Sequence, residues 1–241
     1  MAVGSSGVVL EMSLDIVSYL MGKAAGGGGS GGSDQPAIWV GGYEGDAIPS
    51  EVYNRIVRFS GLKDKYLLLS FLTRSDPLNL PSGLVQLDKT TVNDGTNAQY
   101  VYVYKYHVTT NDTVSLSLGS NTHDRKAIAW WIIDRDFSLT KTATSDLFEY
   151  YIQPYSLTTT ELTFITFSAY TAQTNTALDV WVNCDGAWVN HPYITLSQLR
   201  HFSAIIPPAS VAKTTKIMQG SNGDLTANRS LGQVVVYTIT V

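Results

Sequence analysis

The chain has 241 residues, a formal net charge of −4 and a pI near 5.5; 44% of its side chains are apolar and only 15% are charged. That balance argues against a nucleic-acid partner, which needs clustered Lys and Arg, and lies well below the roughly 25% charge of an ordinary domain. The polar surface must then come from Thr, Ser, Asn, Gln and Tyr, a composition that suits a β-rich secreted or particle-bound protein. A single cysteine, Cys184, rules out an intrachain disulfide and a cysteine zinc site and reads as a buried, inert thiol. No apolar run approaches the roughly 18 residues of a membrane helix. The start, "MAVGSSGVVLEMSLD", has neither the positive charge nor the apolar core of a signal peptide. Exit from a cell would therefore go without such a signal, for example inside a particle released by lysis.

Residues 1–11 are small and weakly patterned. "MSLDIVSYLMGK" (12–23) then predicts a short helix. Ser13 is placed to cap it, Asp15 sits in its first turn, and Gly22 and Lys23 mark its end. Leu14, Val17, Leu20 and Met21 fall at helical spacing on one side. A helix of two to three turns is marginal alone in water, so this stripe needs a surface, on its own domain or on another protein. Ala24 to Ser33 is a tract of Ala, Gly and Ser with an r.m.s. reach of roughly 17 Å, or about 35 Å when taut. Such slack suits a segment that plugs into a neighbouring protein. The tract also resembles laboratory Gly-Ser linkers, although the flanking "SYLMGKAA" does not look like a tag. The chain thus divides into an anchor (1–23), a flexible linker (24–33) and a β domain (34–241).

Within that domain "PSEVYNRIVRF" (49–59) reads as a short helix-like patch and the rest as strands. "QYVYVYKYHV" (99–108) alternates strictly, with Tyr100, Tyr102, Tyr104 and Tyr106 on one face and Val101, Val103, Lys105 and His107 on the other. "TVSLSLG" (113–119) alternates likewise, the pattern of half-buried antiparallel strands. "AIAWWII" (127–133) is apolar on both faces and reads as a central strand or one under a subunit contact. Trp130 and Trp131 point to opposite faces, which places one in the core and leaves the other for a neighbouring subunit. The tyrosine row reads as core or protomer contact, where the ring is buried and the hydroxyl stays wet. A sugar-stacking platform is the other use of such a row. Trp130, Trp131, Tyr102 and Tyr104 are accordingly candidate surface or subunit contacts.

Two stretches share an order of features. "KYLLLSFLT", "SGLVQLD", "YVYVYKYHV", "TVSLSLGSN" and "DRKAIAWWIID" are followed by "ELTFITFSAYT", "DGAWVNH", "LRHFSAIIP", "TTKIMQGSN" and "NRSLGQVVVYTITV". These define internal halves of about 63–134 and 160–241. Neither half easily buries its apolar face alone. Together they supply the strands of an all-β, two-sheet antiparallel sandwich of jelly-roll type.

Catalytic patterns do not stand out. His123 beside Asp124 reads as a solvated turn. The pairs Asp134/Asp136 and Asp146/Glu149 are not distinguished from ordinary surface acids, although two carboxyls across a cleft are what glycosidase chemistry needs. "DPLN" and "NDGTN" offer too few carboxylates for a usual calcium loop. The expectation is no enzyme, no catalytic residue, no metal and no cofactor.

"SLDIVSYLMGKAAGGGG" resembles the N-terminal anchoring segments of tailed-bacteriophage virion proteins, in which a peptide ending in a Gly-rich tract precedes a variable β domain. The strand series from "YLLLSFLT" to "AIAWWIID" is similar to jelly-roll-like modules of phage tail, fibre and spike proteins. Leu84 stands where those modules carry an aromatic after Ser-Gly. The resemblance implies a structural component of a virion, located on the extracellular particle, in a tail, fibre or baseplate or as a head fibre or decoration. Its particle-anchoring residues would be Leu14, Ile16, Val17, Tyr19, Leu20 and Met21. Its partners would be other virion proteins through residues 1–23, further copies of the chain as a homo-oligomer (a trimer is the expectation), and a host surface glycan. No nucleic acid or membrane insertion is implied. A secreted carbohydrate-binding module is the alternative, and a polysaccharide-cleaving enzyme a more distant one.

Overall fold

A computed structural model describes residues 10–12, 38–45, 56–59, 62–73, 80, 82–92, 99–109, 114–117, 127–148, 153–171, 177–184, 188–190, 199–208, 213–222 and 230–241. All regular structure among them is β. The first half of the chain supplies β1 (Leu10–Met12), β2 (Ile38–Gly45), β3 (Ile56–Phe59), β4 (Tyr66–Thr73), β5 (Leu84–Val92), β6 (Gln99–His107), β7 (Val114–Ser117) and β8 (Ala127–Ile133). The second supplies β9 (Ser138–Phe148), β10 (Gln153–Thr159), β11 (Thr163–Thr171), β12 (Ala177–Cys184), β13 (Trp188–Asn190), β14 (Leu199–Ile206), β15 (Lys213–Asn222) and β16 (Ser230–Thr240). The helix-like patch at 49–59 is corrected at its end: Ile56–Phe59 is β3, paired with β7, where β-branched Ile56 and Val57 favour the extended chain. The predicted helix at 12–23, the anchor residues within it and the tract 24–33 lie outside the described residues, Met12 of β1 excepted.

Two five-stranded antiparallel sheets form the sandwich, in the orders β2-β8-β4-β6-β5 and β13-β14-β11-β16-β9. Each sheet is drawn from one half of the chain. Replacing every strand of the first order by its counterpart in the second half gives β9-β16-β11-β14-β13, the second sheet read backwards. In the smaller sheets one pairing recurs, β3 with β7 and β10 with β15, while β1 on β3 and β12 on β15 have no counterpart among the described residues. Register makes the match residue by residue. Leu68 faces Trp131 as Phe164 faces Tyr237, and Leu72 faces Val101 as Ser168 faces His201. Even an irregularity recurs. β2 bulges between Val40 and Gly42 opposite Trp131 and Trp130, and β9 bulges opposite their counterparts Tyr237 and Val236. A bulge is a local and specific departure from the ladder, so its recurrence at the same register position marks two versions of one design.

The two sheets meet along a seam of Ile38, Leu68, Val103, Trp131, Ile133 and Phe137 against Leu162, Phe164, Ile205, Val235, Tyr237 and Ile239, with Tyr66, Leu87 and Leu139 at its margin. Five pairs of counterparts belong to it: Ile38/Leu139, Tyr66/Leu162, Leu68/Phe164, Trp131/Tyr237 and Ile133/Ile239. Both copies therefore turn the same face inward, the isologous arrangement of a two-fold dimer. The outer face of the first sheet holds a second core of Leu62, Leu67, Leu69, Phe71, Tyr102, Tyr104, Val108, Ile128, Trp130 and Ile132. On the second sheet Ile165, Phe167, Ala204, Ile206, Val234 and Val236 are equally buried. Strands covered on both sides explain the near-continuous apolar runs "YLLLSFL" and "AIAWWII".

That double cover corrects the surface assignments. Trp130 and Trp131 do point to opposite faces, but both are buried, at 2% and 0% exposure, in different cores of the same chain. Tyr102 and Tyr104 are buried too, stacked on each other at 5.9 Å. The middle of the tyrosine row is core, and Tyr100 and Tyr106 pack half-buried at its margin.

The turn into β5 depends on Gly83, whose φ of +91° is costly for any other residue. Truncating the seam pair one residue at a time tests its weight. Leu68→Ala and Phe164→Ala each lower unfolding stability by about 2–5 kcal/mol, read by urea denaturation, whereas Val85→Ala at the exposed β5 edge stays within about 0.5 kcal/mol.

Candidate functional site

The polar chemistry of the described residues gathers in the seam. Ser70 of β4 interrupts an apolar run, and alternation sends it to the inner face with Leu68 and Leu72. From the other sheet β11 contributes Ser168 and β14 contributes His201 and Ser203. Ser168 Oγ lies 2.8 Å from His201 Nδ1, and His201 Nε2 lies 2.8 Å from Ser70 Oγ. Ser70 Oγ turns its proton toward Ala129 O at 3.5 Å. The assignment that serves all these atoms has His201 donating from Nε2 to Ser70 and accepting from Ser168 at Nδ1. Ser70, Ser168 and His201 are each buried to within 2%. Burial lowers the His201 pKa from 6.5 to about 4, against the opposing pull of the Ser70 and Phe167 backbones. The ring is therefore neutral at ordinary pH. A serine–histidine contact elsewhere signals a nucleophile and its base. Here both hydroxyls are hydrogen-bonded inside a buried layer, and the chain of bonds ties one half of the molecule to the other. Trp131 Nε1 adds a second tie, donating to Ser203 Oγ at 2.7 Å.

A third tie closes one flank. The β5 ladder shifts between Gln86 and Asp88, which turns Asp88 inward beside Leu87. Its Oδ2 accepts from Lys141 Nζ at 2.6 Å, Tyr237 OH at 2.8 Å and Thr90 Oγ1 at 3.0 Å. Lys141 Nζ also donates to Thr90 Oγ1 at 2.9 Å, and Gln233 Nε2 donates to Thr91 O at 3.3 Å. Burial pushes the Asp88 pKa up, but the hydrogen bonds from Lys141, Tyr237 and Thr90 outweigh it and hold the carboxyl below its ordinary 3.8. Burial, and then the Asp88 carboxylate, push the Tyr237 hydroxyl far above its ordinary 10.0. Tyr237 is thus a permanent donor. Trp131 and Tyr237 are register counterparts, and each sends one polar hydrogen across the seam.

At the end of the first sheet Tyr66 and His107 stack at 4.2 Å with rings 3° apart, and Phe137 meets Tyr66 edge-on at 6.4 Å. His107 is exposed. Beside them Lys105 Nζ donates to Asp136 Oδ1 at 2.9 Å and to Phe137 O at 2.8 Å. The Lys105 hydrogen bond lowers the Asp136 pKa.

Of the acids weighed in the sequence, Asp136 is tied to Lys105, and Asp134 accepts from its neighbour Arg135 at 3.1 Å. His123, Asp124 and Glu149 lie outside the described residues, as do the side chains of Asp146 and Cys184. Among the described residues no group of three His, Cys, Asp or Glu is placed to hold a metal ion. Leu14, Ile16, Val17, Tyr19, Leu20 and Met21 also fall outside them. The seam residues Ser70, Asp88, Lys141, Ser168, His201, Ser203 and Tyr237 went unread in the sequence. Their signal was a polar residue at an inward strand position, legible for Ser70 in "YLLLSFLT" and His201 in "LRHFSAII".

A scan against protein-family models found no match, and searches of curated proteins and of solved structures found none.

The flank tie has a pH signature. Because the folded pKa of Asp88 lies below 3.8, its contribution is present above that value and is lost as pH falls through the folded one. Asp88→Asn therefore costs about 1–2 kcal/mol at neutral pH, and the gap to the parent closes in strong acid. Chemical denaturation across pH reads this directly.

Proposed function

We propose that the chain is a structural component of a bacteriophage virion, held to the particle by residues 1–23 and displaying the doubled β body for assembly or host attachment. The observation that carries this reading is the use made of the chemistry-bearing side chains. His201, Ser168, Ser70, Asp88, Lys141 and Tyr237 bind the two halves to each other, which makes the body a stiff unit suited to bearing load and presenting its ends. The strand order supports a jelly-roll winding within each half: β9 lies beside β16, β16 beside β11, β11 beside β14, and β10 beside β15. The anchor would act through the apolar side chains Leu14, Ile16, Val17, Tyr19, Leu20 and Met21. Each large side chain contributes roughly 1.5–3 kcal/mol when fully buried, and the effect multiplies over several copies.

Deleting residues 13–33, which spares β1 on its partner β3, strips the protein from particles, as read by immunoblotting of purified virions. Deleted protein that still co-purifies with particles contradicts the anchor.

The second reading, a secreted carbohydrate-binding module, rests on the stacked Tyr66–His107 pair, whose exposed ring is an aromatic surface of the kind that packs on a sugar. A glycan array probed with the full chain tests the sugar-packing surface, and the absence of any binder contradicts the module. Because host attachment through a glycan belongs to the virion reading too, a binder abolished by His107→Ala and Tyr66→Ala favours the module only if the chain is also missing from purified particles.

A further inference from the structure

The duplication supplies its own control for every seam position, because the other half shows what the same fold accepts there. The counterparts of Ser168 and His201 are Leu72 and Val101, joined by the same register and buried at 1% each. An apolar pair therefore satisfies this place in the sheet. The polar pair in the second half exceeds what folding needs, and it reaches across to Ser70, so it bears on the contact between halves. Nothing in the first half's version of the site responds to protons.

We propose that the Ser168–His201–Ser70 chain is an acid-operated release of the seam, in which a second proton on the imidazole parts the two sheets while each half keeps its strands paired.

The surroundings make that proton costly. Around His201, β4 presents Ser70 between Leu68 and Leu72, β6 presents Val101 and Val103, and β8 presents Ala129 and Trp131. Thr166 and Ser168 come from β11, Ser203 from β14, and Gln233 and Val235 from β16. None of these is charged. The charged groups of the seam stand apart on the flank, where Asp88 and Lys141 are paired with each other and Tyr237 donates to Asp88. Lys105, farther along β6, is paired with Asp136. Glu44 of β2 is in register with Ile128, an outer-core residue, and Arg200 of β14 with Ala169. No described carboxylate facing the ring is free to receive the imidazolium.

The sign follows from the two states. An opened seam returns His201 to its ordinary 6.5, while the closed seam holds it at about 4. Between those values the open form takes up a proton that the closed form refuses. The closed form thus loses ground as pH falls below 6.5, and the loss levels off once the closed form also takes up the proton. Asp88 acts only in stronger acid, so the two contributions are separable. Among the described residues the outer core of the first half and the buried outer face of the second hold no histidine, and both are apolar.

The test follows the full chain from about pH 7 to pH 3.5 by small-angle scattering and far-UV circular dichroism. The radius of gyration, roughly 18 Å for a compact chain of this length, rises by several ångströms with its midpoint above pH 4, and the strand signal persists. His201→Val, the residue its counterpart already carries, moves that midpoint at least one pH unit lower. His201→Gln, which keeps the polar contacts without a titration, does the same. An unchanged midpoint in both variants, or expansion that coincides with loss of the strand signal, overturns the proposal. If neither variant folds, the His201 ring signals of the parent protein in NMR decide. Protonation that tracks expansion supports the release, and protonation at constant radius refutes it.

Discussion

The contact between the inner faces of the two large sheets governs the rest of the molecule. A sheet with one apolar face needs one partner layer. Here the central strands are apolar on both faces, and both faces are buried, the inner one against the other half. The seam is the inner cover. Its core is a run of counterpart side chains, Leu68 with Phe164 and Trp131 with Tyr237 among them, and its polar ties cross from half to half. Burying a hydroxyl or an imidazole costs several kcal/mol unless it is hydrogen-bonded. His201 Nε2 and Ser70 answer that cost to each other only when the sheets are in place opposite each other. Apolar burial supplies the attraction, and the polar groups fix which registers can meet.

The same constraint explains the electrostatics. With few charges in the chain, those that enter the seam are paired: Asp88 with Lys141, assisted by Tyr237 and Thr90. His201 has no ionic partner among the described residues, and burial lowers its pKa. The edges of both sheets are defended in familiar ways. β2, β5 and β9 carry bulges, and β13 is only three residues long. Bulged and short edge strands discourage further pairing.

Much of this was legible in the residues. Alternation at 99–108 located β6, the apolar run at 127–133 located β8, and the shared order of features pointed to two similar halves. Two things were not. Alternation in "QYVYVYKYHV" looks the same whether the second face meets water, a neighbouring subunit or another core, because tyrosine serves in all three settings; hence Tyr102, Tyr104 and one tryptophan stayed open between core and subunit contact. The partnerships of His201 with Ser70 and of Asp88 with Lys141 join residues from opposite halves, and no local pattern encodes them. β3 was masked by the charged Glu51 and Arg55 before it, which suggest a helix, while Ile56–Phe59 is short enough for its pairing with β7 to decide its conformation. Setting His201 against Val101 would have exposed the odd residue, but that comparison needs the register.

The seam is tested most directly by hydrogen exchange of the Trp131 indole proton in the intact protein at neutral pH. Held at 2.7 Å from Ser203 Oγ in a layer where Trp131 has no exposed surface, that proton should exchange as slowly as the backbone amides at the centres of β4 and β11, released only when the two halves separate. Exchange at the rate of an exposed indole, with those amides still protected, would mean that the sheets do not close on each other and would contradict the account.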